Sequence, residues 1–255
     1  MKLTIGYFYA DLLNLYGDNG NVEILTARAR ARGFDVAVCH IDQSTALTSE
    51  LMQSINLVFM GGGPDSGQKL MYEDLLTNKG SYLKDYINRG GVGLYVCGSY
   101  QLLGHYYKSA DGSNLQGLGA FDLFTRHFGN KKPRCIGNVV ATLCEQILAD
   151  PVFKSVNKIG DTLVGFENHG GRTYLNKTLT PFAKVITGHG NNSEDGTEGA
   201  FYKNSIGTYF HGPILARNPH IADFLIAKAL NVDTLKELDD GLILSAHIAS
   251  KNLKQ

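Results

Sequence analysis

The stretch GGVGLYVCGSYQLLG, from Gly90 to Gly104, places a cysteine between a short apolar strand and the start of a helical pattern. Val92–Val96 is rich in β-branched and aromatic residues, which is typical of a buried strand. The small residues after Cys97 let the backbone turn sharply, so we predict a nucleophile elbow at the top of a sheet. The N-terminus of a helix also favours a thiolate. The alternative interpretation of Cys97 is an inert buried cysteine.

Strand-like and helix-like segments alternate in the chain as far as Cys97. Parallel strands joined by helices form right-handed βαβ units, so this alternation predicts an α/β fold with a mainly parallel, twisted sheet and helices on both faces. Ligands bind such sheets at the carboxyl ends of the strands. The predicted strands are Leu3–Ala10, Val36–Cys39, Leu57–Met60 and Val92–Val96, and the predicted helices are Val22–Arg32, Lys69–Leu76 and Ser81–Asn88.

After about Tyr107 the sequence becomes a series of glycine-punctuated β segments, which we expect to add antiparallel strands and hairpins to the sheet. A helix is predicted over Pro219–Leu230, followed by a C-terminal helical segment over about 233–255. No repeat, linker or low-complexity tract interrupts the chain, so we predict one domain over residues 1–255. The β segments are Gly117–Phe124, Cys135–Leu143, Asp161–Phe166, Phe182–Thr187 and Ala200–Phe210.

The charge balance argues against nucleic acid and anionic membranes as partners, because the chain has 24 basic and 24 acidic residues. Its four cysteines form no C-x-x-C pair, which disfavours a disulfide framework and a metal site and fits a reducing compartment. The short apolar N-terminal run is interrupted by Gly6, so we interpret it as a strand and not as a signal sequence. We find no stretch of membrane-crossing length and expect a cytoplasmic protein without direct membrane insertion.

A catalytic cysteine needs a base and donors for the developing oxyanion, and the sequence offers candidates for both. His211 lies just after a predicted strand, where it is expected to reach the same sheet edge as Cys97. Gly61–Gly63 directly follows another strand, and its backbone N–H groups are candidate donors. Simpler interpretations remain open, because the chain has eight histidines and a run of glycines is also an ordinary tight turn. The dinucleotide-binding pattern G-x-G-x-x-G is absent.

These motifs, in this order, resemble the class I glutamine amidotransferases of the cobyric acid synthase-like group. The resemblance rests on VCGSYQ around Cys97, on the Gly61–Pro64 turn and on the HGP that begins at His211. Three longer motifs are similar to the GatD-type glutaminase subunits of MurT/GatD lipid II isoglutaminyl synthases. They are Asn14–Asn21 (NLYGDNGN), Gly165–Thr173 (GFENHGGRT) and Tyr209–Pro219 (YFHGPILARNP). The resemblance covers most of the chain and is weakest beyond about Asp233.

The resemblance implies a mechanism in which Cys97 attacks the side-chain amide of L-glutamine. His211 would assist thiolate formation and then protonate the departing ammonia, and water would hydrolyse the γ-glutamyl thioester. The expected oxyanion donors are the backbone N–H groups of Gly62, Gly63 and Gly98.

Substrate contacts are expected from Gly63, from Gln101 and from Arg134, whose guanidinium suits the α-carboxylate of glutamine. The alternatives are a polar residue in a first helical turn for Gln101 and a solvated surface residue for Arg134. Glu167 and His169 either line the site or only hold a turn together, and we assign them no role.

One position departs from the triad pattern, because Pro213 stands where a carboxylate usually follows the histidine by two residues. Either the site works as a Cys–His dyad or an acid from a partner chain completes it. The second option predicts weak glutaminase activity for the isolated chain and stimulation on assembly.

The chain contains no P-loop, so the chemistry that uses ammonia is expected on a separate ligase. By the resemblance this partner is a MurT-like Mur ligase subunit in a heterodimer. It would hold ATP and Mg²⁺ and amidate the D-glutamate of lipid II to D-isoglutamine in peptidoglycan synthesis, so we expect no cofactor in this chain and contact with the membrane face only through lipid II. Three alternatives remain: a subunit of another amidotransferase, a non-catalytic binding subunit, and a PfpI-type cysteine hydrolase.

Overall fold

The computed structural model describes residues 1–63 and 65–253. Pro64 of the predicted glycine turn, and Lys254 and Gln255 of the predicted C-terminal segment, lie outside the described residues. The strands are β1 (Lys2–Phe8), β2 (Asp35–Ile41), β3 (Leu57–Met60), β4 (Val92–Val96), β5 (Tyr106–Lys108), β6 (Asn114–Gln116), β7 (Leu123–His127), β8 (Cys135–Leu143), β9 (Thr162–His169), β10 (Gly171–Leu175), β11 (Ala183–Thr187), β12 (Thr197–Glu198), β13 (Ala200–Tyr202), β14 (Ser205–Thr208) and β15 (Phe210–His211).

The α-helices are α1 (Gly20–Ala31), α2 (Ser49–Ser54), α3 (Asp65–Asp74), α4 (Gly80–Asn88), α5 (Gly98–Leu102), α6 (Glu145–Ala149), α7 (Pro151–Val156), α8 (Pro219–Leu230) and α9 (Gly241–Lys251). A π-helical turn over Leu75–Lys79 joins α3 to α4, and short 3-10 turns lie at Leu15–Gly17, Gly129–Lys131 and Ile214–Ala216.

The main sheet has six strands in the order β13, β14, β4, β3, β1, β2. Neighbouring strands are parallel except for the edge hairpin of β13 and β14. Every residue of β3 and β4 is buried, as expected for central strands of a parallel sheet that helices cover. The predicted α/β class with a mainly parallel sheet is therefore confirmed.

Helices pack closely against this sheet. α8 contacts β1, β3 and β4 as well as α1, and most of its side chains are buried. On α4, the hydroxyl of Tyr86 lies 2.9 Å from the carbonyl oxygens of Asn56 and Val92, which attaches this helix to the beginnings of β3 and β4. Among the helices of residues 1–63 and 65–253, none combines the length and apolar character needed to cross a membrane.

Most of the later β segments form two further sheets. One has four strands in the order β10, β7, β5, β6, and the other has five in the order β12, β11, β8, β9, β15. Of the segments predicted after Tyr107, only Ala200–Phe210 supplies strands to the main sheet. The chain leaves that sheet at Tyr209, because β14 pairs with β4 whereas β15 pairs with β9. This transfer brings His211 to the carboxyl end of β4.

Strand β3 and helix α8 have the predicted bounds, but the C-terminal helix is shorter than predicted. It begins at Gly241, and the residues from Asp233 to Asp240 are not helical. The carbonyl of Lys236 accepts a hydrogen bond from Nε of Arg32 at 2.7 Å. This contact holds the segment against the end of α1 and uses a carbonyl that a helix would need.

A buried ionic cluster joins α1, α8 and the segment before α9. The guanidinium of Arg28 contacts both carboxylate oxygens of Asp223 at 2.7 and 2.8 Å and both oxygens of Asp240 at 2.6 and 2.8 Å. Arg32 donates to Asp223 at 2.7 Å. Arg28 and Asp223 are each 5% exposed, so water cannot replace a partner that is removed.

We therefore expect Asp223→Ala to lower the free energy of unfolding by about 3–5 kcal/mol, because it leaves two guanidinium groups without their shared carboxylate. Urea-induced unfolding measures this change. The matched control is Glu237→Ala, which breaks an exposed ion pair with Lys158 and is expected to change stability very little. Equal effects of the two substitutions would contradict a stabilising role for the cluster.

Candidate active site

Cys97 occupies the sharp turn between β4 and α5. Its φ of 54° and ψ of −104° are unusual for a residue with a side chain and store backbone strain. Contacts on both sides hold the turn: the N–H of Cys97 donates to the carbonyl of Thr208 at 2.8 Å, and the hydroxyl of Ser99 donates to the carbonyl of Met60 at 2.7 Å. The predicted strand, turn and helix are confirmed, with Cys97 9% exposed.

His211 is fully buried beside the carboxyl end of β4. Its Nδ1 lies 3.2 Å from Oδ1 of Asp18, which is also fully buried. Its Nε2 has no hydrogen-bond partner among the described residues, and Cys97 is the other group whose charge acts strongly on the ring. Asp18 thus orients the ring from one side and leaves Nε2 to the sulfur.

Gly62 marks the point at which these side chains meet. A β-carbon built there would lie 2.9 Å from Cβ of Cys97, 2.9 Å from Cε1 of His211 and 3.2 Å from Oδ2 of Asp18. The first two distances are shorter than real contacts, so a side chain at this position would displace its neighbours. The three groups therefore surround one small space at the carboxyl edge of the sheet, where α/β folds bind ligands.

Asp18 provides the carboxylate beside His211 that is missing at position 213, where the chain has Pro213. Oδ1 faces His211, and Oδ2 accepts the N–H of Gly62 at 2.8 Å. A carboxylate of this chain thus lies at the imidazole, which argues against both alternatives drawn from the sequence, a bare dyad or an acid from a partner chain. The available signal was the position of NLYGDNGN after β1, next to β3 at the carboxyl edge. Its polar, glycine-containing composition is also that of an ordinary turn.

The environment of His211 favours its protonated form. Burial alone lowers the pKa of His211, but the charge of Cys97 and the hydrogen bond with Asp18 outweigh it and raise the pKa to about 10. At neutral pH the ring is therefore an imidazolium that donates from Nδ1 to Asp18. The second ring proton, on Nε2, is available beside the sulfur.

The three glycines predicted as oxyanion donors lie in different environments. The N–H of Gly62 is donated to Asp18, which corrects its predicted role. Gly63 packs on the loop after β1, since a β-carbon there would lie 2.6 Å from Cδ2 of Leu13. Gly98 opens α5, so its N–H has no acceptor within that helix. Gly63 and Gly98 remain the predicted donors.

Arg134 lies at the exposed rim and is connected to His211 through two other side chains. Its Nε and Nη2 donate to Oδ1 of Asn168 at 3.1 and 2.9 Å. Nδ2 of Asn168 donates to the hydroxyl of Tyr16 at 2.6 Å. The ring of Tyr16 packs edge-on against the ring of His211, with centroids 4.8 Å apart. A chain of contacts thus links Arg134 to His211, and its binding of substrate stays a prediction.

Gln101 is buried, and its amide nitrogen is used inside the protein. Nε2 donates to the hydroxyl of Tyr209 at 3.1 Å, and that hydroxyl lies 2.6 Å from Oγ1 of Thr173. These contacts favour a supporting role for Gln101 over the predicted contact with substrate.

Glu167 and His169 lie buried in β9. The carboxylate of Glu167 accepts the N–H groups of His189 and Gly190 at 2.6 and 2.9 Å, and the ring of His169 stacks on Tyr209 with centroids 3.6 Å apart. These contacts favour the interpretation in which the two residues hold a turn and a strand in place. In the part of the chain that the structure describes, no three His, Cys, Asp or Glu side chains are placed to hold a metal ion.

The chain is similar to known proteins along most of its length. A family model described as a CobB/CobQ-like glutamine amidotransferase domain matches residues 4–219. The lipid II isoglutaminyl synthase (glutamine-hydrolyzing) subunit GatD of Staphylococcus aureus is 41% identical over 228 residues, 89% of this chain and 84% of the relative. The subunit of the same name from Streptococcus pneumoniae is 38% identical over 231 residues, 90% of this chain and 81% of the relative. A glutamine amidotransferase structure from Thermotoga maritima has a TM-score of 0.54 at 14% identity, covering 97% of this chain and 95% of that one, and shares the fold.

We expect NMR titration with ¹⁵N-labelled histidine to find His211 still protonated at about pH 8, where an ordinary imidazole is neutral. Cys97→Ala is expected to lower the pKa of His211 further than Asp18→Asn does, because the charge of Cys97 is the largest of the causes that raise this pKa. The signal is assigned with His211→Gln. A wild-type His211 that titrates near 6.5 would contradict the proposed pairing.

Proposed function

Because the chain belongs to the CobB/CobQ-like glutamine amidotransferase family, we propose that it is the glutaminase subunit of a lipid II isoglutaminyl synthase. It would hydrolyse L-glutamine at Cys97 and deliver ammonia to a MurT-type ligase. The observation that carries this proposal is the buried arrangement of Cys97, His211 and Asp18, in a chain that aligns along most of its length with GatD subunits.

The first half of the reaction transfers the γ-glutamyl group to sulfur. The Cys97 thiolate attacks the side-chain amide carbon of glutamine, and the negative oxygen that forms accepts hydrogen bonds from the backbone N–H groups of Gly63 and Gly98. The Nε2 proton of His211 passes to the amide nitrogen, the C–N bond breaks, and ammonia leaves. Asp18 keeps the imidazole in the orientation that this transfer needs.

The second half regenerates the enzyme. His211, now neutral, takes a proton from water while the water oxygen attacks the thioester carbon. The C–S bond breaks, glutamate is released, and Cys97 leaves as the thiolate beside the imidazolium. Arg134 holds the α-carboxylate of glutamine throughout, since a guanidinium can bind a carboxylate with two parallel hydrogen bonds.

The partner would supply the acceptor chemistry. In this proposal a MurT-like Mur ligase subunit binds ATP and Mg²⁺ and activates the α-carboxyl of D-glutamate in lipid II, so that ammonia gives D-isoglutamine for peptidoglycan. The proposed complex works in the cytoplasm and meets the inner face of the membrane through lipid II. The name of the GatD relatives, which calls each a synthase subunit, supports the need for a partner.

We expect 6-diazo-5-oxonorleucine, a glutamine-like electrophile, to label Cys97 stoichiometrically, because the site activates this sulfur toward glutamine analogues. Glutamine should protect the residue from labelling, and mass spectrometry locates the adduct. Cys97→Ala is expected to remove both labelling and ammonia release. The matched control, Cys39→Ala, changes a half-buried cysteine of β2 and should leave both unchanged. Labelling that glutamine does not slow would contradict the amidotransferase assignment.

Transfer of nitrogen tests the partner and the acceptor. We expect the tagged chain to co-purify a Mur ligase-like chain from its source cell. The reconstituted pair, given ATP, Mg²⁺ and amide-¹⁵N glutamine, should place ¹⁵N in lipid II. A pair containing Cys97→Ala should amidate lipid II from added ammonium but not from glutamine. A complex that hydrolyses glutamine and never labels lipid II would refute this acceptor and leave the glutaminase assignment standing.

A further inference from the structure

The charge of Arg134 is oriented but not neutralised. In the described structure its guanidinium contacts Oδ1 and the backbone carbonyl of Asn168, and no carboxylate pairs with it. An arginine at a protein surface usually gains such an anionic partner or remains mobile in water. Here a neutral amide fixes one edge of the guanidinium and leaves the positive charge for a ligand.

Asn168 is also connected to the catalytic histidine through Tyr16. Its Nδ2 donates to the hydroxyl of Tyr16 at 2.6 Å, and the Tyr16 ring packs against His211. Tyr16 has a left-handed φ of 61° and is 42% exposed, so its position over His211 depends on such contacts. Tyr16 belongs to the same loop as Asp18.

We propose that Asn168 is a positioning residue that sets the specificity of the site for an amino acid with a free α-carboxylate. Its amide oxygen aims Arg134 at the substrate carboxylate without neutralising it, and its amide nitrogen holds Tyr16 over His211. Recognition of the carboxylate and closure of the site beside the imidazole then depend on one side chain. This inference rests on the proposed glutaminase function and adds a residue that the sequence did not single out.

Only an amide satisfies both contacts at this position. The oxygen must accept two N–H groups of Arg134, and the nitrogen must donate to the hydroxyl of Tyr16. An aspartate has the same shape and would still hold Arg134, but it would form an ion pair that competes with the substrate carboxylate. An alanine would release Arg134 and leave its charge free. Comparing the two substitutions therefore separates the effect of orienting Arg134 from the effect of neutralising its charge.

The test compares Asn168→Asp with Asn168→Ala by the KM and kcat of glutamine hydrolysis in the assembled enzyme. We expect Asn168→Asp to raise KM roughly 10- to 100-fold, because the new carboxylate competes with the substrate carboxylate for Arg134. Asn168→Ala should raise KM less than about tenfold, because it removes only the neutral hydrogen bonds that orient Arg134. A merely structural role predicts the reverse order, because aspartate keeps the shape and the acceptor. The matched control is Asn130→Asp, which adds the same charge at an exposed position four residues before Arg134 in the sequence and should leave KM almost unchanged.

A substrate lacking the carboxylate charge gives a second readout. Wild type should release ammonia from glutamine far more efficiently than from glutamine α-methyl ester, and Asn168→Asp should reduce this preference at least tenfold. An unchanged preference, or an Asn168→Asp variant with the lower KM of the two, would overturn the inference. If wild type hydrolyses no glutamine and Cys97 is not labelled, the proposed function itself fails, which is a distinguishable result.

Discussion

The carboxylate of Asp18 is the contact on which the rest of the site depends. One oxygen meets Nδ1 of His211 and the other accepts the N–H of Gly62, so a single buried group joins the loop after β1, strand β15 and the turn after β3. A buried carboxylate is costly unless its oxygens are hydrogen-bonded, and these two contacts meet that need. They also fix the direction of the imidazolium ring, which leaves the Nε2 proton for Cys97.

To place His211 beside Cys97, the chain must also cross from one sheet to another at a defined point. The carboxylate of Glu198 accepts the N–H of Tyr209 at 2.7 Å and the hydroxyl of Thr208 at 2.9 Å, and the carbonyl of Thr208 accepts the N–H of Cys97. Burial raises the pKa of Glu198 to about 8, so this carboxyl group is predominantly protonated at neutral pH. The crossover between β14 and β15 is thereby bound to the cysteine turn, and the sulfur and the imidazole are positioned by one connection.

Local patterns predicted the parts of this structure that local interactions determine. The apolar run ending at Val96 and the small residues after Cys97 identified the elbow, and periodicity gave the bounds of β3 and α8. Asp18 was not predictable in this way, because its partner His211 lies 193 residues further along the chain and a polar loop looks like an ordinary turn. The division of the later β segments among three sheets depends on long-range pairing in the same way. Asn168 did not stand out in the sequence, because the other polar residues of its motif, Gly165–Thr173, have buried side chains.

A double-mutant cycle on kcat/KM for glutamine hydrolysis tests most directly whether Asp18 acts through His211. If it does, Asp18→Asn lowers kcat/KM by about 10²- to 10⁴-fold when His211 is intact and by less than about threefold in a His211→Gln background. Equal losses in both backgrounds would contradict the claim. An Asp18→Asn enzyme with undiminished turnover would also contradict it and would return the missing carboxylate to a partner chain.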